Sequence, residues 1–539
     1  MKKIISVLIA LSIIFSLVGC RNLSEDISDS SSEVLVSYIE TVESKIDGET
    51  ASQDTVSQNS STVDTSPEQN VPSSSQNASS NQSNTSIPTN TIKPYTGNLP
   101  SISKGKIPQF SKQRFELSGF WAPYEISEKS FKQYKDAGFT TLAMINHSLE
   151  NTSEGQFYLG SERTMNALKI CKKVGLKAIL NYNGWKAEDV EGAGYYGETP
   201  FSTYDIYGDY KDIITGIHIC DEPQVKHIPI YSKKTLIDDF KKVYPNAKYI
   251  VNLLPLAIHT GGYFNSYAEM MEIYEENFME PFDSPFVSVD IYPFHQDDKT
   301  DDALLAANYE YIANTAKKYG IKPTFILQAS TGNEFEKNLS ESDLRWEINA
   351  AIAFGANALQ YYCYSVPRSY NQDGSINHMY DYCILKPDDT PSGIYYSLQK
   401  LHKEIQSFAS VILSYDWDKS IGVSGSKEAI FRVSALEYDE DYNREKFDDA
   451  KHYVSATATQ DLIVSRFTSQ EYGESYMFVN FADRNNGNTV AVTLRDCKAV
   501  AIYGGVDYSG TPQIVSLDEE GNLTFDLDYG EGVFVIPLV

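Results

Sequence analysis

Between Leu117 and Tyr362, short apolar runs rich in β-branched and aromatic residues alternate with longer stretches whose apolar positions recur at helical spacing. The runs Leu117–Ala122, Thr140–Ile145, Lys177–Tyr182 and Thr215–Cys220 predict strands. So do Lys248–Leu253, Phe286–Ile291, Thr324–Gln328 and Ala358–Tyr362. Helices are predicted over Ser127–Ala137, Ser161–Val174, Ser232–Val243, Tyr267–Phe278, Asp302–Tyr319 and Ser342–Phe354, several opening at Ser or Asp and closing before Gly. Eight strand–helix units in about 300 residues predict an α/β fold, a (β/α)₈ TIM barrel over 101–415 that closes with a helix from Ser392 to about Leu413. A doubly wound open sheet is the competitor, but it usually carries a Gly-rich phosphate loop after its first strand, and none is present.

Beyond residue 416 the period falls to two, with turn signals about every ten residues. Leu462–Phe467, Ser475–Asn480, Thr489–Leu494, Lys498–Ile502, Leu523–Leu527 and Gly532–Ile536 read as strands of a C-terminal antiparallel β-sandwich, 416–539. Such a domain is either a packing appendage or a carbohydrate-binding module.

The first hundred residues follow neither period. Lys2 and Lys3, the apolar run Ile4–Val18 and then small residues read as an export signal, 1–20. Leu17-Val18-Gly19-Cys20 resembles a bacterial lipobox, which implies a lipid anchor on Cys20 and a position on the outer face of the membrane. Residues 21–100, rich in Ser, Asn and acid, cannot bury enough surface to offset chain entropy and read as a flexible tether.

Composition narrows the function. The 539 residues carry a formal charge of −28, against the clustered Lys and Arg that nucleic acid requires. Six Cys suggest no disulfide framework, with Cys220 and Cys363 read as buried thiols. There is no phosphate loop, dinucleotide fingerprint or Gly-x-Ser-x-Gly elbow, so no cofactor is expected. No metal cluster stands out either: His227 lies beyond Pro223 from His218, Asp221 and Glu222, and Asp483–Asn488 reads as a β-turn. The 38 Tyr offer faces on which sugars stack.

Chemistry is expected where barrel strands end. The stretch Ile214-Thr215-Gly216-Ile217-His218-Ile219-Cys220-Asp221-Glu222-Pro223 runs an apolar strand into two acids, and Pro223 stops it because proline cannot donate to a ladder. A partly desolvated carboxyl beside a second acid has its pKa raised towards general-acid use. The string Gly-x-x-x-x-Asp-Glu-Pro resembles the fourth-strand Asn-Glu-Pro of clan A glycoside hydrolases such as the family 42 β-galactosidases. Val287–Phe294 and Arg345–Tyr362 are similar to that clan's sixth strand end and to its seventh helix and eighth strand, and the likeness spans about Gly119 to Leu413. It implies Glu222 as acid/base and Asp221 as a sugar contact.

One position departs. The clan's nucleophile ends the seventh strand, where this chain has Gln328, and an amide cannot form a glycosyl ester. Three readings remain open. Asp290 supplies the second carboxylate; or Asp221 and Glu222 work together on a substrate acetamido group, as in hexosaminidases; or the barrel binds carbohydrate without cleaving it. A structural wall protein is a weaker possibility. Trp121, Asn183, Trp185, Asn252, Tyr292, Gln328, Tyr362 and Tyr364, at or just past strand ends, are the candidate sugar contacts. Each has a plainer reading: Asp221 as a helix cap or a partner of Arg345, Asp290 as a turn cap, half the aromatics as core, His147 and His259 as structural. The long connections Lys186–Lys211 and Ser365–Pro391, the latter with Arg368, Asp373, His378 and Asp381, are the expected cleft walls.

Overall fold

The computed structural model describes residues 107–145, 157, 159–182, 200–225, 228–256, 264, 266–295, 302–331, 338–370, 375–423, 447, 449–482, 486–504 and 510–539. The signal, the tether and Cys20 lie outside the described residues, as do Asn183, Trp185, His147 and His259.

Eight parallel strands close into a barrel: β1 (Glu116–Gly119), β2 (Thr141–Ala143), β3 (Lys177–Asn181), β4 (Ile214–Asp221), β5 (Lys248–Asn252), β6 (Ser288–Asp290), β7 (Thr324–Gln328) and β8 (Ala358–Tyr362). They pair as β2-β3-β4-β5 and β1-β8-β7-β6. Two seams complete the circle. Thr140 N–H donates to Leu117 O at 2.9 Å, and Leu253 N–H donates to Ser288 O at 3.1 Å beside a parallel Leu253–Val289 bridge.

Helices α1 (Glu128–Asp136), α2 (Glu162–Val174), α3 (Lys234–Val243), α4 (Tyr267–Tyr274), α5 (Asp302–Lys318), α6 (Glu341–Ala353) and α7 (Gly393–Ile412) cover the outside. After β3 a 3₁₀ stretch, Phe201–Tyr210, takes the place of a helix. The local rules are visible at the ends. Ser127 and Ser340 form capping boxes on α1 and α6, satisfying orphan N–H groups, and Gly175 closes α2 in the left-handed conformation at φ 77°.

The eighth connection carries the hairpin β9 (Arg368–Tyr370) and β10 (Ile376–His378). After α7 the chain enters a β-sandwich. One sheet orders β11 (Asp416–Val423), β13 (Leu462–Ser469), β14 (Gly473–Asn480), β19 (Gly532–Leu538), β16 (Ala499–Gly504) and β17 (Gln513–Ser516). The other orders β12 (Tyr453–Ala458), β15 (Asn488–Leu494) and β18 (Asn522–Leu527). Both sheets feed one core that includes Ile421, Val464, Phe478, Val492, Phe525 and Val535.

The sandwich packs on the barrel's outer helices. Trp346 of α6 stacks on Phe481 at 4.7 Å and 16°, and Asn349 Nδ2 donates to Gly530 O at 2.9 Å. Gly530 has φ 64°, and a Cβ there would lie 2.6 Å from the Trp346 backbone, so only glycine allows this approach. Trp346→Ala is therefore expected to destabilise the protein by about 3–5 kcal/mol, read by chemical denaturation. A loss below about 1 kcal/mol would show that this junction holds little of the fold.

Candidate active site

A fault in the regularity of β4 builds the first part of the site. Against β5, His218 pairs with Ile250 and Cys220 with Val251, so Ile219 is one extra residue in a β-bulge. In an unbroken strand, residues three apart point to opposite faces. The bulge instead brings His218 Nε2 to 3.9 Å from Asp221 Oδ1. Both atoms are enclosed, and neither has a hydrogen-bond partner among the described residues. The His218 ring is buried edge-on to Phe120, with centroids 6.0 Å apart.

Asp221 lies in the strand rather than at a helix cap, and Arg345 pairs with Glu341 and Glu404 instead. At Glu222 the chain leaves the sheet with φ 44°, a left-handed conformation that costs a non-glycine residue roughly 1–2 kcal/mol. The Glu222 N–H still bonds to Asn252 O at 3.1 Å, so its backbone stays fixed on β5. Strain held in place by a neighbouring strand is common at functional positions.

The ends of β5 and β6 supply the rest. Ser288 Oγ donates to Asn252 Oδ1 at 2.7 Å, which turns the amide so that Nδ2 donates to Asp290 Oδ1 at 2.7 Å. The Tyr292 hydroxyl and the Glu222 carboxyl both lie beside the Asp290 carboxyl. With Asp221 close by, three acids share one mouth.

Like charges a few ångströms apart repel by about 4 kcal/mol at an effective dielectric of 20, so the cluster holds on to a proton. Burial pushes Glu222 well above the usual 4.5, and the charges of Asp290 and Asp221 push it further. Burial, then Asp221, raises Asp290 to about 7, while the bonds from Asn252 and Tyr292 pull it back. The donors around Asp290 thus assign it the negative charge and leave the proton on Glu222. Glu222 keeps partial exposure, so that proton can be reached.

Aromatic rings flank the acids. Tyr292 and Tyr362 face each other at 5.4 Å and 33°, and Tyr380 of the eighth connection meets Tyr362 edge-on at 6.2 Å. Trp121, 8% exposed at φ 60°, packs into the same cluster with Phe120 and Val366. Arg368 is committed to Asp389 and the Pro387 carbonyl.

Three expected sugar contacts have other duties. Asn252 is 2% exposed and spends its amide on Asp290 and Ser288, so it orients the acid pair. Tyr364 is fully buried behind β8, packed on Tyr134 at 4.7 Å and on Phe139, within the helix layer. Gln328 is also fully buried: its Oε1 accepts from Phe294 N–H at 3.0 Å and its Nε2 donates to Phe294 O at 3.3 Å. That clamp needs one donor and one acceptor, which an amide has and a carboxylate lacks. The residue at the expected nucleophile position therefore fixes the chain after β6 and does not reach the mouth. Glu347 of α6 secures it further by accepting the Gln328 N–H at 3.0 Å.

His218, Ser288, Tyr380 and Glu347 were not anticipated from the sequence. Only His218 carries a signal there, as a buried polar residue in an apolar strand. Among the described residues no three His, Cys, Asp or Glu side chains converge as metal ligands, and no helix is long and apolar enough to cross a membrane.

No family model matches the chain, and no curated protein matches it. Solved structures similar to it are glycoside hydrolases of several families. A family 42 β-galactosidase from G. stearothermophilus aligns at 10% identity over 78% of this chain and 98% of its own, with a TM-score of 0.47. A family 5 glycoside hydrolase from Bacteroides vulgatus aligns at 11% identity, over 78% and 89%, with a TM-score of 0.45. A family 39 glycoside hydrolase from Bacteroides cellulosilyticus aligns at 13% identity, over 80% and 83%, with a TM-score of 0.43.

Proposed function

We propose that this protein hydrolyses glycosidic bonds in an extracellular poly- or oligosaccharide, with Glu222 as the proton donor. One geometry carries the reading: Glu222, whose pKa burial and the neighbouring acids raise, lies beside Asp290 at the strand ends of a closed barrel, next to partly exposed Tyr rings. Glu222 protonates the leaving oxygen as the C–O bond breaks; water then adds to the anomeric carbon, and the proton it loses returns to Glu222. Asp290 is the carboxylate that stabilises the positive charge developing on the sugar ring, and the exposed part of the Asp221 carboxyl is offered to its hydroxyls. The lipid anchor on Cys20 and the tether of residues 21–100 would hold the barrel outside the cell.

The test is a panel of neutral, acidic and N-acetylated glycans with reducing ends counted over time. Release from at least one member is expected; binding with no release would overturn the proposal. That contrary result is the second reading, a carbohydrate-binding lipoprotein, and the buried Gln328 clamp at the end of β7 favours it.

The acid pair also sets a pH dependence. Turnover is expected to fall as pH drops below about 7, where Asp290 takes up a second proton, and to fall again at alkaline pH as Glu222 loses its own. Stability runs one way. Both carboxyls are raised above their unfolded values, so their contribution is fully present below about pH 4 and is lost as pH rises through the raised values. A rate flat across pH 5 to 9 would contradict a shared proton.

A further inference from the structure

The sequence suggested no disulfide framework, yet two thiols lie side by side at the edge of the site. Cys363 Sγ is 3.3 Å from Cys383 Sγ, and both residues are fully buried. The backbone holds them there independently of the thiols. Ile384 N–H donates to Cys363 O at 3.2 Å and Leu385 N–H donates to Tyr364 O at 2.8 Å, so the two segments run paired. Ser392 Oγ, the cap of α7, donates to Cys383 O at 2.7 Å. Bringing the sulfurs to a bond length near 2.05 Å requires a movement of little more than 1 Å, which rotation about the side chains can supply.

We propose that Cys363 and Cys383 form a disulfide when the chain folds in an oxidising medium. The oxidant is a disulfide, either a small one such as glutathione disulfide or that of a thiol-oxidising protein. The thiolate of one cysteine attacks the donor disulfide, forming a mixed disulfide and releasing one thiol. The second thiolate then attacks the sulfur of the first, closing the Cys363–Cys383 bond and releasing the other thiol. Two electrons pass to the donor, and the two protons lost by the cysteines end on the released thiols. Because both sulfurs are buried once folded, the exchange precedes packing of the eighth connection, and the bond is afterwards sheltered from reductant.

The bond would matter for where it lies. Cys363 follows Tyr362 directly, and Cys383 ends the segment carrying Tyr380, so the staple joins β8 to the connection that walls the acid pair. Cys363, Cys383, Trp121, Val366 and Tyr380 already pack as one cluster. The inference does not depend on what the site binds.

The experiment refolds the full chain in a buffer of reduced and oxidised glutathione, blocks remaining thiols under denaturing conditions and maps peptides without reduction. The Cys363 and Cys383 peptides should emerge as one species that separates on reduction, with Cys171, Cys220 and Cys497 blocked. Recovery of both as blocked single peptides would overturn the proposal. A second readout is thermal. The natural chain refolded in reductant should unfold about 4 °C lower than the chain refolded in the glutathione buffer, and the two preparations should not differ for Cys363→Ala. A linked chain that melts no higher than the reduced one would contradict the stapling role.

Discussion

Glu222→Gln is expected to lower turnover by about 10³-fold or more, because it removes the proton that the leaving oxygen takes while keeping the shape of the side chain. The amide can still donate to Asp290, so the backbone turn at φ 44° and its bond to Asn252 should persist. Stability should move the other way. The natural carboxyl, held protonated in the fold, ionises on unfolding at its ordinary 4.5, which favours the unfolded chain at pH 7; the amide cannot, so the variant should unfold at a higher denaturant concentration. Loss of activity with a gain of stability is the signature of a functional residue. Loss of both would mean that Glu222 is structural, and full activity would remove it from the mechanism.

Asp290→Asn is the second large effect, a loss of roughly 10²- to 10³-fold in turnover. The substitution neutralises the charge that faces the sugar and withdraws the acceptor that keeps the Glu222 proton in place. Asn252 can still donate to the new amide oxygen, so folding should survive. Asp290→Ala, by contrast, leaves the Asn252 donor buried without its acceptor and should cost a further 1–3 kcal/mol of stability. The rate profile separates this role from a merely structural one. With Asn at 290 the fall in rate below about pH 7 should vanish, and the alkaline fall should shift to lower pH. An Asp290→Asn variant with the natural profile at reduced rate would assign Asp290 to packing alone.

The barrel was legible because burial on both faces writes each strand as an apolar run, and Ser and Gly mark the helix ends. Three sandwich strands were missed for the opposite reason. In β11, Asp418 and Lys419 interrupt the apolar pattern, β12 is mostly Ser, Thr and Ala on an exposed sheet, and β17 has only 4 residues with one of them buried. The acids of the site were readable from one rule, that carboxylates just before a proline at a strand end face the mouth of a barrel. What depends on three-dimensional accidents was not. The bulge at Ile219 reverses the alternation and brings His218 under Asp221, and period two alone would have put them on opposite faces. Tyr364 failed similarly: alternation carried past the end of β8 gives it the face of Tyr362, but the chain turns and buries it against Tyr134. Gln328 lies where the strand-end rule looks for chemistry, and its use as a clamp depends on Phe294, 34 residues earlier.

The expectations for Glu222 and Asp290 rest on one proton held between the two. The direct measurement is a pH titration of the side-chain carboxyls by carbon-13 NMR in the folded natural chain, with the Glu222 signal assigned by its loss in Glu222→Gln. Glu222 should remain protonated at pH 7, well above the ordinary 4.5, and its midpoint should fall in Asp290→Asn. A Glu222 signal that titrates near 4.5 in the natural chain would contradict the account.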